Sequence, residues 1–211
     1  MNSFPRLVVM DVDSTLITAE VIELLAAHAG SRKLVAEVTE RAMRGEIDFT
    51  ESLRSRVSTL AGLPESVFAD VLAEVELTPG AVELIDGLRA RDCAVGLVSG
   101  GFIEVVQPLA DRLGITRVRA NALEVARGHL TGRMAGEVID RAVKARTLRE
   151  WAAADGIDLS ETVAIGDGAN DLDMLATAGF GVAFNAKPVV AAQADAAVDG
   201  RLDAVLDLLP R

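Results

Sequence analysis

The 211-residue sequence predicts an α/β protein with a doubly wound, mainly parallel sheet. Short apolar runs rich in Val, Ile and Ala recur as "RLVVMD" (6–11), "CAVGLVS" (93–99), "TVAIGD" (162–167), "FGVAF" (180–184) and "DAAVD" (195–199), with a weaker "RVRAN" at 117–121. Helical patterns fill the intervals, the alternation expected of parallel strands covered on both faces. Hydrophobic residues make up 50% of the chain and charged residues 25%, a globular composition that can bury a sizeable core.

Residues 19–76 interrupt this rhythm. They contain no convincing strand but four short helical patterns, near 19–29, 31–44, 48–61 and 64–76, punctuated by Gly30, Gly45 and Gly62-Leu63-Pro64. We read 19–76 as a helical cap inserted into a core made of 1–18 and 77–211. At the return to the core, Thr78 is expected to cap a helix that begins at Pro79. A smaller hairpin insertion is expected at about 123–136, "LEVARGHLTGRMAG".

The net charge of −11, the 3% aromatic content and the lack of a basic run argue against a nucleic-acid partner or a membrane surface. Cys93, the single cysteine, sits in an apolar run and reads as a buried structural thiol. Asp11 breaks the first apolar stretch after four residues, so no signal peptide or membrane span is expected, and the cytoplasm is the default compartment.

The first strand runs straight into Asp11-Val12-Asp13. In extended chain these two carboxylates share a face, and their repulsion is relieved by a bound cation. A second acidic group, Asp167 and Asp171, flanks the Gly-rich turn of "GDGAND", where Gly166 and Gly168 allow a sharp turn and close approach to a ligand. All four fall at the C-terminal ends of strands, where open α/β sheets bind ligands. Oxygen-only donors suit Mg²⁺, and neither His28 nor His129 supports zinc. Ser99-Gly100-Gly101 ends another strand and, opening a helix, offers a hydroxyl and backbone N–H groups to an anion. Lys144 is one of only three lysines among 21 basic residues, which hints at a need for a compact charge.

"DVDST", "SGG", Lys144 and "GDGAND", in that order, resemble the four signature motifs of the haloacid-dehalogenase-like hydrolases, and within them the enzymes that hydrolyse O-phosphoserine. Val12 stands where the family often has Phe. The resemblance implies that Asp11 is the nucleophile and forms an aspartyl-phosphate, and that Asp13 is the general acid and then the base. It further implies Mg²⁺ held by Asp11, the Asp13 carbonyl and Asp167, with Asp171 acting through bound water, and a phosphoryl group bound by Ser99, Gly100 and Lys144. Substrate choice falls to the cap. Phe49, Leu53, Arg56 and Leu60 share one helix face, and Arg56 interrupts that apolar stripe. The resemblance gives the substrate carboxylate to Arg56 and its ammonium to Glu20, with Phe49 closing the pocket and Asn170 near the phosphate. L-serine and phosphate would be the products, the last step of serine biosynthesis. A different small phosphomonoester is the nearest alternative. A receiver-like phosphoacceptor domain, which would not turn over, is the alternative outside enzymes.

Overall fold

The computed structural model describes residues 4–43 and 46–210, with the side chains of Met43 and Phe49 outside the description. In chain order the elements are β1 (Leu7–Met10), α1 (Val21–His28), α2 (Arg32–Met43), α3 (Phe49–Ser58), α4 (Val67–Glu74), α5 (Ala81–Arg89), β2 (Ala94–Phe102), α6 (Ile103–Arg112), β3 (Arg117–Ala126), β4 (His129–Ala135), α7 (Arg141–Ala154), β5 (Thr162–Gly166), α8 (Leu172–Thr177), β6 (Phe180–Phe184), α9 (Pro188–Ala191) and β7 (Ala196–Val198). The seven strands form one sheet in the order β4-β3-β2-β1-β5-β6-β7. Every neighbouring pair is parallel except β3 and β4.

The strands read as continuous apolar runs because both sheet faces are covered. Val8 and Met10 of β1 join one core with α5, α6 and the helices at 21–74. Leu7 and Val9 point the other way, into a second core with α7, α8 and α9. All four are fully buried.

The four helices of 19–76, α1 to α4, fall where their patterns place them, each a few residues shorter than its apolar period. Leu60, assigned to the stripe on α3, lies beyond that helix but is buried all the same. The chain leaves and re-enters the sheet region through two paired segments: Thr18 N donates to Glu76 O (3.0 Å) and Thr78 N to Leu16 O (2.9 Å). The residue preceding α5 is Gly80, so Thr78 does not cap it. The helix begins two residues later than expected, after Gly80 at φ 85°, where a Cβ would also strike Asp203.

The 123–136 hairpin is an extension of the sheet. β3 continues unbroken from "RVRAN" to Ala126 and turns back at Arg127-Gly128, both at positive φ as a tight two-residue hairpin requires. Its far strand then bonds to the α3–α4 connection, through Gly62 N to Leu130 O (2.9 Å) and Leu130 N to Leu63 O (2.8 Å).

Helix α7 seats against β2 through Trp151, whose ring lies where a Cβ on Gly96 would be, 2.5 Å from Cζ3. Replacing Gly96 by Val overpacks this contact and should cost about 1–3 kcal/mol. A thermal melt is expected to show Tm lower by several degrees. An unchanged Tm would mean that the seating of α7 does not depend on this contact.

Candidate active site

Met10 of β1 lies opposite Leu97 of β2 and Ile165 of β5; β1 and β5 end level there, while β2 runs on to Phe102. The chain departs from β1 toward β2 on one side and β5 on the other, which makes the C-terminal end of β1 the switch point of the sheet. Asp11, Ser99 and Asp167 stand there, one or two residues past the paired positions.

Asp11 stays extended, its N–H bonded to Ile165 O (2.9 Å). The chain then makes one wide turn, closed by Ile17 N to Val12 O (3.0 Å). Inside it Ser14 adopts φ 56° and ψ 4°, a left-handed conformation that costs a non-glycine residue about 1–3 kcal/mol. Ser14 N donates to Ala19 O (3.2 Å) and Ser14 Oγ to Glu20 Oε1 (2.5 Å), which holds the turn. Asp13 and Ser14 therefore cap no helix. The residue preceding α1 is Glu20, fastened directly to the turn that carries the two aspartates.

Lys144 is fully buried, with Nζ 2.8 Å from Asp11 Oδ1 and 2.6 Å from Asp171 Oδ1. Asp171 Oδ2 accepts from Gly168 N (3.1 Å), and Asp167 Oδ1 accepts from Thr15 Oγ1 (3.4 Å). Asp171 is thus bonded both to Lys144 and to the backbone of the Gly-rich turn. Gly166 is required for Asp171 rather than for a ligand: a Cβ there would lie 2.5 Å from Asp171 Cγ.

Oxygens of Asp11, Asp167 and Asp171 come within 4.8 Å of one another, all three residues buried. Burial first, and then the Asp171 charge, raise the Asp11 carboxyl from 3.8 to about 7, against the pull of Lys144. Burial also holds Asp167 well above the usual range, reinforced by Asp171 and Asp11. Burial alone would lower Lys144, but Asp11 and Asp171 outweigh it and hold the ammonium charged. One ammonium does not balance this many carboxylates, and an all-oxygen triad fits a hard divalent cation.

The Asp13 carboxylate lies apart from the triad. A Cβ on Gly101 would sit 2.8 Å from Asp13 Oδ2 and 3.0 Å from Ser99 Oγ, so the glycine makes room for both. Burial, then Glu20 and Asp11, raise Asp13 well above the usual carboxyl range. Ser99 is buried and its Oγ accepts from Gly101 N (2.8 Å). It caps no helix, because β2 runs on to Phe102, breaking register with β3 between Ser99 and Phe102. The Gly100 carbonyl accepts from Asn121 Nδ2 (2.7 Å).

Above these groups lies a cavity of about 30 Å³ bordered by Asp11, Asp13, Gly100, Asn170, Glu20 and Arg56. Ile22, Ala42 and Leu53 supply its apolar wall. Arg56 is 5% exposed and fixed at two points: Nη1 donates to Thr39 Oγ1 (2.7 Å) and Nε to Ser52 O (3.2 Å). Burial lowers its pKa while Glu20 and Asp13 oppose the shift. Burial likewise raises Glu20, against the Ser14 hydrogen bond. Asn170 Oδ1 is buried without a partner. Phe49 opens α3, and its side chain lies outside the described residues. A wider chamber of about 390 Å³ adjoins through Glu20 and Thr39 and reaches Lys187.

Ser14, Thr15, Thr39 and Asn121 were not singled out in the sequence, although two carried a signal. Thr39 interrupts the apolar stripe Val35–Ala42 as Arg56 interrupts that of α3. Asn121 is a poor strand former placed inside a strand. Cys93 is buried as expected, its thiol pushed up to about 12 by burial. Both histidines are exposed. Asp173 is half-buried and pairs with Arg141 (2.5 Å).

Carboxylates grouped at the switch point of such a sheet around a buried lysine make a candidate hydrolase site. The haloacid dehalogenase-like hydrolase profile matches residues 8–176, and the chain belongs to that family. A phosphoserine phosphatase of Streptococcus thermophilus is 55% identical over 92% of this chain and 90% of its own length. One of Streptomyces coelicolor is 62% identical over 97% of this chain, which spans about half of that relative's length. A solved phospho-aspartyl intermediate analogue of phosphoserine phosphatase superposes with a TM-score of 0.95 at 38% identity, over 99% of this chain and 100% of that one. A substrate-bound phosphoserine phosphatase gives the same values. No helix among the described residues is long and apolar enough to cross a membrane.

The raised carboxyls make a prediction about pH. In metal-free protein the folded state binds more protons than the unfolded state between the ordinary aspartate value, 3.8, and the folded value of about 7 for Asp11. Stability therefore falls as pH rises through that window. Urea midpoints of metal-free wild type should drop from pH about 4 to about 7, less so for Asp11→Asn, and added Mg²⁺ should remove the drop. A flat metal-free profile would contradict the repulsion described.

Proposed function

We propose that this chain is a Mg²⁺-dependent phosphatase that hydrolyses O-phospho-L-serine to L-serine and phosphate through a phosphoryl group on Asp11. The observation that carries the reading is one cavity bordered by Asp11, which is paired with the buried Lys144 behind it, and by the opposite charges Glu20 and Arg56. An anionic ester on an amino acid needs three charge contacts, and this cavity supplies groups of the matching signs.

In this reading the Arg56 fork takes the substrate carboxylate and Glu20 the ammonium. Lys144, Ser99 and the Gly100 N–H take the phosphoryl oxygens, releasing part of the hold of Lys144 on Asp11. An Asp11 oxygen attacks phosphorus as the P–O bond to serine breaks, and Asp13, protonated through its raised pKa, gives its proton to the departing alkoxide. Asp13, now charged, takes a proton from water, whose oxygen attacks the same phosphorus. The bond to Asp11 breaks and phosphate leaves. Asp11 and Asp167, with the Asp13 carbonyl, would hold Mg²⁺, and Asp171 would support them. The ion offsets the repulsion between an anionic nucleophile and an anionic ester.

Residues 19–76 act as a cap in this reading, opening at the paired segments 16–18 and 76–78 to admit substrate and closing to exclude water. The reaction is placed in the cytoplasm, where a lone buried thiol such as Cys93 stays reduced.

Two assays test the reading. Phosphate release from a panel of phosphorylated metabolites should be led by phosphoserine and should require Mg²⁺. Arg56→Ala and Glu20→Ala should raise KM for phosphoserine by about 10–100-fold, the worth of a charged hydrogen bond, while changing turnover of p-nitrophenyl phosphate far less. Equal losses on both substrates would refute zwitterion recognition.

A further inference from the structure

We propose that Asn121 is a positioning residue that fixes the two phosphoryl-binding elements relative to each other. The inference rests on the reading of Ser99, Gly100 and Lys144 given above. Asn121 is fully buried near the middle of β3, and its side chain touches none of the reacting groups. Its Nδ2 donates to Gly100 O (2.7 Å), and its Oδ1 accepts from Ile139 N (2.8 Å). The first bond holds the tip of β2 where that strand has lost register with β3. The second holds the chain two residues before α7, the helix that carries Lys144.

Only one orientation of the amide satisfies both partners. A flip would set the oxygen against a carbonyl and the NH₂ against an N–H. Asp140 completes the mooring by capping α7, its side chain accepting from Val143 N (2.9 Å). Ser99 and Gly100 arrive on one strand and Lys144 on a helix from a distant part of the sequence, and Asn121 is the side chain bonded to both segments. Through it, the distance between the hydroxyl and backbone donors on one side and the ammonium on the other is set before substrate arrives. Misplacing such donors by about 1 Å costs on the order of 10²-fold in rate.

The test uses the intact chain with Asn121→Leu, which keeps the volume and removes both bonds, and Asn121→Asp, which keeps an acceptor for Ile139 and sets a carboxylate against the Gly100 carbonyl. Mg²⁺ affinity by calorimetry, Tm, kcat and KM on phosphoserine and p-nitrophenyl phosphate, and inhibition by orthovanadate are measured. The expected result is folded protein with wild-type Mg²⁺ affinity, kcat lower by about 10²-fold on both substrates with KM for phosphoserine little changed, and vanadate inhibition weakened at least tenfold. If the Leu variant does not fold, the Asp variant decides alone. Lower Tm with kcat and vanadate inhibition unchanged would overturn the proposal, leaving Asn121 a structural residue. Because p-nitrophenyl phosphate and vanadate do not need Glu20 or Arg56, a chain that ignores phosphoserine would overturn the substrate reading without deciding this one.

Discussion

The site depends on an ammonium fully buried between two carboxylates. Lys144 could not remain charged in an apolar interior unless Asp11 and Asp171 were against it, and Asp11 could not sit at the end of a buried strand without Lys144. Desolvation of either partner alone costs several kcal/mol. The arrangement is still acidic in excess, so it is stable only by holding protons, as the raised Asp11, Asp13 and Asp167 indicate, or by accepting a cation. The strain that makes the site costly is also what makes it attract a metal and then an anionic phosphoryl group in a protein of net charge −11.

The sheet makes this cluster from residues far apart in sequence. Level strand ends at the switch point bring Asp11 and Asp167 together, and α7, seated by Trp151 on Gly96, delivers Lys144 from the side. The left-handed Ser14 lets the chain turn away at once, so that Glu20 returns over the site. Substrate selection is thereby tied to the same turn that carries the two aspartates, and Thr39 and Ser52 hold Arg56 opposite.

Much of this was legible because two kinds of signal are local. Buried parallel strands announce themselves as apolar runs, and β1, β2, β5, β6 and β7 follow them closely. Acids at strand ends are conspicuous because burial disfavours them, which exposed Asp11, Asp13 and Asp167. Signals that depend on partners distant in sequence were missed. Thr78 reads as a helix cap, but Gly80, packed against the distant Asp203, starts α5 two residues later. "SGG" reads as the start of a helix because the sheet pairing that extends β2 comes from β3. Asn121 has no local signature beyond being out of place in a strand.

The most direct measurement asks where phosphorus goes. Asp13→Asn removes the base needed to hydrolyse the intermediate, while p-nitrophenyl phosphate, with its good leaving group, needs little help from an acid to form it. Rapid mixing of this variant with p-nitrophenyl phosphate and Mg²⁺, followed by acid quench and peptide mass spectrometry, should show a burst approaching one equivalent of p-nitrophenolate and a phosphoryl group on Asp11. Slow steady turnover with an unmodified Asp11 peptide, or a phosphoryl group on another residue, would contradict the account.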